Sequence, residues 1–221
     1  MAFRLGVKFD AKDWNPLGLH DNALIWKNIQ GDALALYQFD LVPDLSAPLD
    51  QEEALLKNWP DHDNGVISRS VVAVDGLLAV RAITKHRQIP AGLMYVGSWI
   101  IPRQWFSYVI KIQCREHTLA GSREAVVGDR ALADNRVSLE GNGTMSGWIT
   151  NSLASFSELW MYNNISEEEA LDAEFPEHPL SRLRKHMRLL EPSIRLSDFV
   201  KRAPAFTNPQ AKPAWWTRFF R

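Results

Sequence analysis

Four apolar runs follow one another between residues 66 and 115, and the last shows a period of two. Phe106, Tyr108, Ile110, Ile112 and Cys114 fall on one face of it, and Ser107, Lys111, Gln113 and Arg115 fall on the other. A period of two places successive side chains on opposite sides of an extended chain, so this run reads as a strand with one dry and one wet face. The runs at 66–74 and 77–84 flank Asp75 and Gly76, a dipeptide favoured in two-residue hairpin turns, and a further run covers 93–101. Upstream, apolar arms at 23–29 and 33–39 flank Gln30, Gly31 and Asp32, which predicts another hairpin. An antiparallel sheet with a single buried face needs helices to cover it, so the expected class is α+β.

Covering helices are legible in the capping chemistry. Asp50 with Glu53 three positions on predicts a short helix through Leu55 and Leu56 toward Trp59. Ser122 reads as the cap of a helix through Val126, Val127, Ala131 and Leu132. Beyond Gly141, Asn142 and Gly143 the alternation stops. Ser166 with Glu169 there suggests a capping box, and Pro179 suggests the start of a helix whose apolar stripe is Leu180, Leu183, Met187 and Leu190. A weaker helical pattern holds Ile194, Phe199 and Val200, and Pro204, Pro209 and Pro213 keep the remainder from forming one continuous helix. The expected organisation is an α+β sandwich over 1–140, with 141–221 as a helical extension and tail packed on the same domain.

The single cysteine among 221 residues excludes an intrachain disulfide and any Cys-rich zinc site. Residues 1–13 are interrupted by charge at Arg4, Lys8 and Asp10, and no stretch approaches the roughly 18 apolar residues of a membrane span, so a cytoplasmic location is expected. Nine tryptophans point to broad aromatic packing or exposed anchors.

Chemistry is hard to find in the pattern. Asp61, His62 and Asp63 are adjacent, as are His20 and Asp21, but local neighbours do not converge readily on one ion, and no metal or cofactor is expected. Cys114 lies in the apolar register of its strand, with His117 three residues on. A reactive thiolate needs an electropositive, partly exposed setting, so Cys114 reads as inert. No phosphate-binding glycine loop and no nucleophile elbow is present.

Charge is segregated instead. Residues 182–221 carry ten Lys/Arg against two Asp/Glu, whereas 1–181 carry fifteen against twenty-four. An acidic body argues against nucleic acid as the partner. The acidic stretch 167–177 directly precedes the basic helix, and the two either pair with each other or steer a charged partner. Arg182, Arg184, Lys185 and Arg188 on that helix, with Trp215, Trp216, Arg218 and Phe219 in the tail, are the candidate partner-binding residues, since Trp and Arg are favoured interface anchors. The alternative for the tail aromatics is that they fold back and complete the core.

Two resemblances add to this reading. The strings Tyr95-Val96-Gly97-Ser98, Phe106-Ser107-Tyr108-Val109, Lys111-Ile112-Gln113-Cys114 and Arg123-Glu124-Ala125-Val126-Val127, with Gly147-Trp148 and the block Phe175 to Arg182, resemble an uncharacterised family of bacterial proteins. The order of elements over 24–134 is similar to the PsbP-like α/β/α sandwich, which includes Eag-type chaperones of secreted effectors. That resemblance implies a mostly non-enzymatic binder, with a chaperone, adaptor or toxin-immunity role, although the long C-terminal extension departs from it. The expectation is a protein-binding module acting by occlusion, with another protein, such as a secreted toxin or effector, as its partner. The alternatives are an enzyme with dispersed residues, drawn from His117, Cys114, His62 and Asp63, or a structural subunit of a larger assembly.

Overall fold

The computed structural model describes residues 5–41, 44–57, 64–116, 121–141, 145–151 and 159–207. After a two-residue strand β1 (Val7–Lys8), the chain forms β2 (Asn15–His20), β3 (Ala23–Lys27) and β4 (Ala33–Phe39). A short helix α1 (Glu52–Lys57) precedes β5 (Gly65–Val74), β6 (Leu77–Arg87), β7 (Leu93–Pro102) and β8 (Ser107–Arg115). These build one seven-stranded sheet in the order β2-β3-β4-β8-β7-β6-β5, antiparallel throughout. It is two meanders joined where β4 pairs with β8. The Asp75-Gly76 turn is formed as expected, with both residues at positive φ (47° and 86°), the geometry of a type I′ hairpin.

Helices α2 (Ser122–Ala133), α3 (Pro179–Leu190) and α4 (Asp198–Arg202) follow. The protein is therefore α+β, an antiparallel sheet covered by helices. The stripe Leu180, Leu183, Met187 and Leu190 is buried against Leu34, Leu36, Trp99, Ile110 and Ile112 in the principal core. Gly97 admits this close approach, because a Cβ there would meet the Met187 sulfur and, at 3.1 Å, Leu183 Cδ1. Leu196 pairs with Val7 of β1, which returns the chain to its N-terminal region.

Several local expectations are corrected. The face of β8 read as wet is largely dry: Ser107 is 0% exposed and Lys111 9%. Leu45, Leu49, Leu55 and Phe206 pack over Val80, Ile100 and Val109 on that side, so the sheet has a second, smaller core. Helix α2 is entered through Gly121 at φ 76°, with no side-chain cap from Ser122. Residue Asn164, rather than Ser166, opens the capping box, with Glu167 as its reciprocal partner, and the segment forms short 3-10 turns at Ile165–Glu167 and Glu169–Ala173. Ser166 is the donor there, its backbone N–H reaching Asn164 Oδ1 at 3.0 Å. Strand β2 was not anticipated, because Pro16 and Gly18 break its pattern. Those two residues bracket a register shift on the edge strand, which discourages pairing with another chain. Among the described residues no helix is long and apolar enough to cross a membrane.

Candidate functional site

Two of the four Lys/Arg on α3, Arg182 and Arg184, are spent inside the protein. Asp32, in the β3–β4 turn, is buried and receives Arg182 Nε at 3.2 Å and NH2 at 2.9 Å. His186 Nε2 lies 3.2 Å from the same carboxylate and Asn28 Nδ2 donates to it at 3.2 Å. Burial alone would raise the Asp32 pKa, but the hydrogen bonds from His186, Arg182 and Asn28 outweigh it and hold the carboxyl well below the usual range. A second network joins α2 to α3: Asp172 Oδ1 accepts from Arg123 at 3.1 Å, Arg184 at 2.9 Å and Ser181 at 3.2 Å. In a third, Lys85 Nζ donates to Glu167 Oε1 at 2.5 Å and to the Tyr162 carbonyl at 2.7 Å. Burial lowers the Lys85 pKa and raises that of Glu167, while each charge partly restores the other.

The acidic stretch and the basic helix therefore pair with each other, in part out of water. Of the candidate partner-binding residues, Arg182 and Arg184 are buried in these networks. Arg188 is exposed and reaches Glu169 Oε1 at 2.7 Å, and Lys185 is exposed. Residues Trp215, Trp216, Arg218 and Phe219 lie outside the described residues, as do His62, Asp63 and His117. Cys114 is fully buried, and burial followed by the neighbouring Asp32 charge pushes its thiol well above the ordinary value, so it is a poor nucleophile.

The open site is a groove of about 520 Å³ between β5, β6, α3 and the 163–169 segment. Ile67, Ile83 and Met187 contribute apolar surface to it, and charged pairs stand along its wall. Arg81 meets Glu191 at 3.1 Å, and Glu191 also accepts the Trp99 indole N–H at 2.7 Å, which fixes its carboxylate. The second pair is Arg188 with Glu169. Asn163 donates through Nδ2 to the Ile67 carbonyl at 3.2 Å, which orients its amide and leaves Oδ1 as a buried acceptor with no hydrogen bond. Among the described residues the groove wall carries no histidine, cysteine or lysine, and its carboxylates are Glu167, Glu168, Glu169 and Glu191.

Among the described residues, two sets of side chains have ligand atoms close enough together to hold a metal ion: Asp32, Cys114 and His186, and Glu116, Glu124 and His178. In the first, the Arg182 guanidinium already neutralises the carboxylate and occupies both its oxygens, so a cation has no charge to answer there. Neither set was visible in the sequence, since each draws on elements far apart in the chain.

No known family model and no curated protein matches this chain. Among solved structures, one from Bacteroides thetaiotaomicron VPI-5482 aligns with 50% of the chain at 12% identity and a TM-score of 0.35. The chain covers 38% of that protein's length, and no argument rests on the likeness.

Proposed function

We propose that this is a non-enzymatic protein-binding module that works in the cytoplasm by holding or occluding another polypeptide, as toxin-immunity and effector-associated proteins do. The observation that carries this reading is the groove along α3. It is open rather than enclosed and has apolar surface flanked by already paired charges. A peptide segment matches that lining. Its apolar side chains would rest on Ile67 and Met187, and its charges would exchange with the Arg81–Glu191 and Arg188–Glu169 pairs. Exposed Lys185 and the basic aromatic tail extend the same reading beyond the groove.

Substitution Ser68→Trp tests it, because Ser68 is exposed on β5 at the groove and a bulky ring there fills the space without entering the core. The protein isolated from its native host should carry a stoichiometric polypeptide that the Ser68→Trp variant, unchanged in circular dichroism, loses. A variant that keeps the same polypeptide would remove the groove from the model. A wild-type protein that carries none, and instead turns over a small molecule, would remove the module.

A further inference from the structure

Glu116, directly after β8, Glu124, in the first turn of α2, and His178, the N-cap of α3, bring three potential ligand atoms within 4.8 Å of one another. His178 Nε2 lies 3.7 Å from Glu116 Oε1 and 3.8 Å from Glu124 Oε1. These separations are too long for hydrogen bonds, and both His178 Nε2 and Glu124 Oε2 are buried without one. The side chains of His178 and Glu116 are each 6% exposed and that of Glu124 is 24% exposed, so access is from the Glu124 side.

The site is held from behind. Glu116 accepts the Leu93 N–H at 2.7 Å through Oε2 and the Gly121 N–H at 3.3 Å through Oε1, which fixes its carboxylate. The His178 ring rests edge-on against Tyr95, with centroids 5.4 Å apart. Nearby Arg123 is committed to Asp172 and Ser181. Two carboxylates and an imidazole nitrogen thus face one another across a gap that no side chain among the described residues closes with a hydrogen bond.

We infer that Glu116, Glu124 and His178 bind a divalent first-row cation of the Zn²⁺ type, which clamps β8, α2 and α3 together. One imidazole nitrogen with two carboxylate oxygens is a donor set suited to Zn²⁺, whereas Mg²⁺ and Ca²⁺ favour oxygen ligands alone. Tetrahedral bonds of about 2.1 Å place ligand atoms roughly 3.4 Å apart, so each His178–carboxylate separation needs to close by about 0.3–0.4 Å. Binding also moves a proton. His178 Nδ1 now accepts the Leu180 N–H at 3.3 Å, which places the ring proton of the neutral imidazole on Nε2. For Nε2 to coordinate, that proton shifts to Nδ1, and Leu180 loses its acceptor at the first turn of α3.

The test is calorimetric titration of the chelator-treated full chain with ZnCl₂, followed by nitrogen-15 NMR of the Leu180 amide and the His178 ring. One Zn²⁺ per chain should bind, raise Tm, shift the Leu180 amide and move the ring proton to Nδ1. Glu124→Gln should weaken binding at least about tenfold while leaving the metal-free Tm in place. Cys114→Ser, in the other set, should leave Zn²⁺ affinity unchanged. Failure of the wild-type chain to bind Zn²⁺ stoichiometrically, equal or tighter binding of Mg²⁺, undiminished binding by Glu124→Gln or a comparable loss in Cys114→Ser would each overturn the assignment.

Discussion

Lys111 lies on the β8 face that the smaller core covers, with its residue 9% exposed, and burial pulls its ammonium pKa from 10.5 down to about 8. An ammonium whose folded pKa is depressed destabilises the fold while it stays charged. Between pH 8 and 10.5 the unfolded chain binds more protons than the folded one, so stability rises with pH across that window. Integrating the two titrations from pH 7 to pH 9.5 gives a gain of about 2 kcal/mol, out of a full difference of about 3 kcal/mol. Lys111→Met keeps the length of the stem and removes the charge. It should therefore stabilise the protein by up to about 3 kcal/mol at pH 7, and its advantage should shrink by about 2 kcal/mol at pH 9.5. Urea denaturation of both proteins at both pH values measures this as a difference of differences, in which the shared contributions of Lys85 and the tyrosines cancel. Parallel pH curves for the two proteins would refute the reasoning, since they would mean that the Lys111 ammonium stays solvated in the folded state.

Truncating Arg182 to Ala should cost about 3–5 kcal/mol at pH 7, because it strands the buried Asp32 carboxylate. The Asp32 pKa is depressed in the fold, so its ionised form contributes stability above the ordinary carboxylate range and loses it as pH falls. The Arg182→Ala penalty should accordingly shrink below about pH 4, read from urea midpoints across an acid series. Gly97→Ala places a methyl against Met187 and Leu183 and should cost about 1–3 kcal/mol through overpacking, measured by thermal and urea unfolding. Pairing it with Met187→Ala should recover part of that loss in a double-mutant cycle.

The architecture was legible wherever one physical rule acted alone. A period of two marked β8, the Asp75-Gly76 dipeptide marked the β5–β6 turn, and three- and four-residue spacing marked the core stripe of α3. Legibility failed where a tertiary partner overrode the local rule. Ser107 and Lys111 are polar letters at a position that Leu45, Leu49, Leu55 and Phe206 cover from elsewhere in the chain, and a period-two reading has no access to that cover. Glu167 followed the same logic: it read as the start of an acidic stretch that either pairs or steers a partner, but its side chain turns inward to Lys85 and reciprocates the Asn164 cap.

The same overriding explains the charge segregation. A basic stretch after an acidic one is equally compatible with a solvated binding face and with internal pairing, because sequence spacing gives no burial. Arg182 is 150 positions from Asp32 and Arg123 is 49 from Asp172, so the networks that use these charges form only once the β3–β4 turn and α2 have met α3. What the helix leaves for a partner is narrower than its composition suggests: exposed Lys185, and Arg188 already paired across the groove wall to Glu169. Buried ion pairs of this kind add little net stability over apolar packing, yet each is costly to break singly. Their consequence here is geometric, since they tie α3, which packs on β7 and β8, to the β3–β4 turn and to the Asp172 turn that also receives Arg123 of α2.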